Sequence, residues 1–224
     1  MRTRGFVLIL ALPGVILVAF LLLFNPPAES ISGERFTGAV SAAFDQKDDE
    51  LSGVLKDIYS KVKAVKLTNN PENDYSSVMA IFLGGAISLS QKEISRGKDN
   101  TMKDLAKRTD KRIKSEISDF NKAKDKQASK KEKETGQGIT TSTLFTAMDI
   151  MMDRLRSYSP TGDFDYDFAS ILVIHHQTAT GLSQAFLENS IDSDLTKTAK
   201  KLIYQDEQDV EQMLEWKAKR KYSE

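Results

Sequence analysis

The chain carries one segment twice. Leu51–Phe120 and Leu144–Met213 align without a gap at an offset of about 93 residues. Identical pairs include Asp74/Asp167, Ser77/Ser170, Ile81/Ile174, Ala86/Ala179, Asp99/Asp192 and Ala106/Ala199, and Leu89-Ser90-Gln91 returns as Leu182-Ser183-Gln184. Conservative pairs such as Leu55/Met148, Val62/Leu155 and Tyr75/Phe168 keep the apolar positions in phase, and Glu116/Asp209 keeps an acidic one. Both copies must therefore satisfy one pattern of buried and exposed positions, and a reading of either constrains the other.

That pattern is helical. In the second copy Leu144–Tyr158 reads as a first helix, ended by Ser159-Pro160-Thr161-Gly162. A second helix runs from about Asp165 to Asn189, with Phe168, Ile171, Leu172, Ala179, Leu182 and Phe186 recurring at helical spacing. A turn from Asn189 to Asp194, capped by Asp192 or Asp194, leads to a last helix carrying Leu195, Ala199, Leu202, Val210 and Met213 and reaching Trp216. No stretch alternates as a strand does. Three helices per copy imply an all-α fold of two tandem helical bundle units, a first over 44–130 and a second over 144–224, joined by a polar, glycine-containing linker at 131–143.

The amino end sets an expected location. Arg2 and Arg4 precede an apolar run from Phe6 to Phe24, closed by Asn25-Pro26-Pro27. About 19 apolar residues can cross a bilayer as a helix. Bulky Leu21-Leu22-Leu23-Phe24 at its end argues for an uncleaved anchor over 1–27 rather than a cleaved signal peptide, with secretion after cleavage as the alternative. The flanking arginines hold the amino end in the cytoplasm, so a linker at 28–43 and the helical units are expected on the periplasmic or extracellular side. Balanced charge, 32 basic against 32 acidic residues, gives no field for a nucleic-acid partner. With no cysteine, disulfides, thiolate metal sites and cysteine nucleophiles are excluded.

The two copies differ most where chemistry could reside. The only two histidines, His175 and His176, lie on or beside the apolar stripe of the second copy, where the first has Phe82 and Leu83. Asp206, on the stripe of the last helix, is matched by Ile113. If the last two helices pack antiparallel about a short turn, His175 falls opposite Glu207 and within reach of Asp206. A buried imidazole and a buried carboxylate are tolerated together far better than singly. Sulfur is one-sided too: Met148, Met151 and Met213 replace Leu55, Ile58 and Phe120. Imidazole with thioether suits copper, Cu(I) above all. The candidate metal set is His175, His176, Asp206, Asp209, Met148, Met151 and Met213. The competing reading makes the histidines a buried structural hydrogen-bond site and the methionines core filler. No nucleophile elbow, cofactor loop or Glu-x-x-His pair occurs, so neither a catalytic residue nor an organic cofactor is expected.

Met148-x-x-Met151, Pro160-Thr161-Gly162-Asp163, Asp165-Tyr166-Asp167-Phe168, His175-His176-Gln177-x-Ala179 and Val210-x-x-Met213-x-x-Trp216 together resemble the bacterial domain of unknown function 305 over about the last 75 residues. The resemblance implies ferritin-like four-helix bundles, export or membrane anchoring, and kinship with a copper-binding chaperone-like protein. It makes the first copy look like a degenerate second domain. Where the family commonly has methionines and a proline just before the histidine pair, this chain has Ile171, Leu172 and Ile174, and Leu182 stands where a methionine often follows the alanine. The expectation is a non-enzymatic envelope protein that binds a metal ion, copper first, in its second unit. The alternative is a structural or protein-interaction scaffold.

Overall fold

The computed structural model describes residues 49–68, 70–128, 141–190 and 194–221. They form six helices: α1 Glu50–Lys63, α2 Pro71–Arg96, α3 Asn100–Ala128, α4 Thr141–Arg156, α5 Phe164–Asn189 and α6 Asp194–Lys221. No strand occurs among the described residues. The expected anchor at 1–27, the linker at 28–43, residues 131–140 of the second linker and the candidate cap Asp192 lie outside them. None of the described helices is long and apolar enough to cross a membrane.

The helix starts follow from short polar side chains. Asp49 accepts from the Leu51 and Ser52 amides and caps α1, Asn70 accepts from Asn73 N before Pro71, and Asp163 accepts from Tyr166 N. The repeat is visible atom by atom at the second helix of each copy. Asp74 Oδ1 accepts from Thr68 N and Oγ1 at 2.7 and 2.8 Å, and Asp167 Oδ1 accepts from Thr161 N and Oγ1 at 2.9 and 2.7 Å. Asp167 Oδ2 also takes the amide of Gly162, whose φ of 86° favours a residue without Cβ. The Pro160-Thr161-Gly162-Asp163 and Asp165-Tyr166-Asp167 motifs thus shape a helix entry.

The two copies do not build two bundles. Their apolar residues share a single core, from Leu51 and Leu55 through Phe82 and Phe120 to Phe168, Phe186 and Met213. Each helix packs against its own equivalent: α1 on α4, α2 on α5, α3 on α6. The α2–α5 pair crosses antiparallel. Phe82 meets its equivalent His175, Tyr75 before it meets Ser183 and Phe186, and Glu93 after it faces Asp165. The α3–α6 pair also runs antiparallel, since Arg108 meets Gln212 while Arg112 meets Asp206. Such crossings are what an approximate two-fold axis generates, with equivalent residues meeting where the axis passes. The tandem-bundle expectation treated each copy as able to bury its own stripe. Three helices leave too much apolar face uncovered, and the other copy covers it.

Tyr75 illustrates the seam. Its ring stacks on Phe186 at 4.1 Å and meets Phe120 edge-on at 5.5 Å. Ser183 Oγ donates to Ala179 O, so the Tyr75 hydroxyl is the donor across the 2.7 Å bond to Ser183. A buried hydroxyl pair is satisfied only when both repeats are in register.

Candidate functional site

The three positions that distinguish the copies lie near these crossings. His175 and His176 sit mid-way along α5, both fully buried, and Asp206 is fully buried on α6. The two rings are 5.7 Å apart at 80° and serve different neighbours.

His175 turns toward the first repeat. Its Nε2 donates to Phe82 O at 2.9 Å, and its ring stacks on the Phe82 ring at 4.3 Å. Gly85 makes room: a Cβ there would stand 1.9 Å from Ile58 Cδ1 and 3.2 Å from His175 Nε2. With Nε2 carrying the proton, Nδ1 is left as a buried acceptor without a partner. Burial, then the neighbouring His176, pushes the His175 pKa down to about 4, so the ring is neutral at ordinary pH.

His176 turns toward α6. Its Nδ1 lies 3.1 Å from Asp206 Oδ1 and its Nε2 3.8 Å from Asp209 Oδ2. The expected pairing of His175 with Asp206 is therefore corrected by one residue, and Glu207, its expected opposite, is exposed. The reason is the shared core: the stripe of α5 faces α2, which leaves the next residue round the helix to meet α6.

The first repeat supplies the remaining charge. Arg112 on α3 donates through Nη2 to Asp206 Oδ1 at 2.9 Å and Asp209 Oδ2 at 2.8 Å, and through Nη1 to Glu116 Oε1 at 3.0 Å. Burial works against the guanidinium charge, but Asp206, Glu116 and Asp209 outweigh it and hold the proton more tightly than usual. Burial would raise Asp206, yet His176 and Arg112 hold it below the usual carboxylate range. Burial prevails at Glu116, whose pKa is raised. Thr109 Oγ1, at 3.4 Å from Asp209 Oδ2, closes the set.

His176, Asp206 and Asp209 each bring a ligand atom within 4.8 Å of the others, the spacing of a metal-ligand group. The donors are one imidazole nitrogen and two carboxylate oxygens, which suit Zn(II) or Cu(II) better than Cu(I). Asp206 Oδ2 has no hydrogen-bond partner and could ligate. Against this, Arg112 already bridges the same two carboxylates, and a cation would have to displace it. Met148, Met151 and Met213 are fully buried members of the hydrophobic core. His175 commits its Nε2 to a backbone carbonyl.

Arg112 and Glu116 were missing from the candidate set. A signal for them exists in the first copy. Met102, Leu105, Ala106, Thr109, Ile113, Glu116 and Phe120 form the buried face of α3, and two of these seven are polar.

The family model described as a domain of unknown function (DUF305) matches residues 72–217. The chain belongs to the DUF305 family. The match takes in most of the first repeat as well as the second, so the resemblance seen in the last 75 residues extends across both, and the two repeats are parts of one family domain. The crystal structure of a DUF305 fragment from Deinococcus radiodurans is similar with a TM-score of 0.50 at 12% identity, covering 67% of this chain and 97% of that one. At that identity the likeness speaks to fold alone. No curated protein matches the sequence.

Proposed function

We propose that this DUF305 member is a non-enzymatic, membrane-anchored envelope scaffold whose two repeats are locked by a buried charge cluster, with the helical surface offered to a protein partner. The observation that carries this reading is the Arg112 guanidinium seated between Asp206 and Asp209. A cluster that holds its own cation behaves as a closed structural unit, and removing one member strands the rest. The apolar run from Phe6 to Phe24 behind Arg2 and Arg4 supports anchoring and an outward-facing body.

A second reading is favoured by the 4.8 Å grouping of His176, Asp206 and Asp209: a divalent metal site in which Arg112 is the competitor. Copper, in its Cu(II) state, and zinc fit that donor set. Thermal melting of the full chain with and without Cu(II), Cu(I) and Zn(II) separates the two. The scaffold reading expects an unchanged melting temperature for every metal and a lowered one for His176→Ala without metal. A metal-dependent rise that disappears in His176→Ala, and grows in Arg112→Met, would replace it with the metal reading.

A further inference from the structure

Glu93, in the last turn of α2, is fully buried, and neither carboxyl oxygen has a hydrogen-bond donor against it. A charged carboxylate buried without a donor is strongly disfavoured, so the group must find a way to be neutral. Its surroundings supply one. Gly97 closes over it so tightly that a Cβ there would stand 2.1 Å from Oε1. The group within hydrogen-bonding reach is the Asp165 carboxyl, at the start of α5 in the other repeat. Asp165 is anchored as an acceptor: its Oδ1 takes the amides of Lys98 at 2.8 Å and Asp99 at 2.9 Å, where α3 begins. Two carboxyl groups can hydrogen-bond only if one carries a proton.

We propose that Glu93 and Asp165 share a single proton and form a latch between the repeats, closed at neutral pH and opened by alkali. Glu93 is the donor, because Asp165 already accepts two amides. The latch ties the end of α2 to the start of the helix that carries His175 and His176. The first-repeat end is a one-sided feature, since Phe186 stands at the position equivalent to Glu93.

The facing charges fit this assignment. Burial comes first, then Asp165 from α5 and Asp99 from the turn before α3. Together they push Glu93 up to about 8, opposed by Lys103 on α3. Asp165 is held below its usual range despite burial by the Asp99 amide, Glu93 and the Lys98 amide, with Arg220 of α6 helping. Glu93 in the unfolded chain has a value of 4.5. A raised folded value means that the native state binds the extra proton. The stability it contributes is complete below 4.5, declines as pH rises, and is gone above about 8.

The full chain is to be unfolded with urea from pH 5 to 9, as wild type and as Glu93→Gln, whose amide donates to Asp165 at every pH. Between the two limits the folded-to-unfolded ratio of the wild type should fall about tenfold more per pH unit than that of the variant. A carbon-13 titration of the Glu93 carboxyl in the wild type needs no variant to fold, and should show it still protonated at pH 7. Equal pH dependence of the two proteins, or a Glu93 carboxyl that ionises near 4.5, would overturn the latch.

Discussion

Replacing Arg112 by methionine tests the central cluster most directly. Methionine keeps much of the aliphatic stem and removes only the charged fork. Three carboxyl groups lose their bond at once: Asp206 with its side chain fully buried, Glu116 at 3% exposure and Asp209 at 17%. Breaking a buried ion pair by removing one partner costs about 3–5 kcal/mol. Arg112 itself is 14% exposed and Asp206 retains His176, which places the expected loss near the lower end, about 3 kcal/mol. For a domain of this size that lowers the melting temperature by roughly 6–12 °C. Urea unfolding followed by far-ultraviolet circular dichroism gives the free energy. A double-mutant cycle with Asp206→Asn then isolates the pair, because an asparagine at 206 no longer requires a cation. Arg112→Met should cost at least about 1 kcal/mol less in that background. A loss below about 1 kcal/mol, or strict additivity of the two changes, would mean the guanidinium is a rim decoration and would refute the lock.

Other substitutions probe the same seam. His175→Phe copies the residue that the first repeat has at this position. It should cost about 1 kcal/mol at pH 7, one neutral hydrogen bond, because the Phe82 carbonyl lies in a helix interior. It should also change the acid limb. A folded value of about 4 against 6.5 unfolded means the unfolded chain binds the proton first. Wild-type stability should thus fall by up to tenfold in the folded ratio per pH unit from 6.5 towards 4, and His175→Phe should lose that component in urea titrations at pH 7 and 5. The adjacent glycines should part company in thermal melts. Gly84→Ala meets no atom within 4 Å and should stabilise by about 0.5–1 kcal/mol. Gly85→Ala drives into Ile58 and against His175 and should destabilise by about 1–3 kcal/mol.

Much of the architecture was legible before any coordinates. The helix α5 observed at Phe164–Asn189 is the one read from the Phe168-to-Phe186 stripe, because a period of three to four is a property of the chain itself. The first helix of that copy starts and ends slightly earlier than Leu144–Tyr158, and the last runs on to Lys221 past Trp216, since ends depend on caps and solvent more than on the stripe. The joint replacement of His175, His176 and Asp206 by Phe82, Leu83 and Ile113 correctly marked where polar groups are buried. It could not say which histidine faces which helix. Two adjacent residues differ by about 100° round a helix, and only the neighbour's position decides which of them meets it.

Local periodicity, capping residues and the duplication itself are written in the amino-acid order, because each depends on residues a few places apart or on a direct comparison of the copies. The partners of buried charge are not. Arg112 reaches Asp206 across 94 positions, and Lys98 N reaches Asp165 across 67. Those meetings exist because the copies close on each other antiparallel in one core. Packing brought the guanidinium to the histidine site and left Glu93 facing another acid, and the long-range burial of apolar surface that drives that packing acts on the whole chain rather than on any stretch of it.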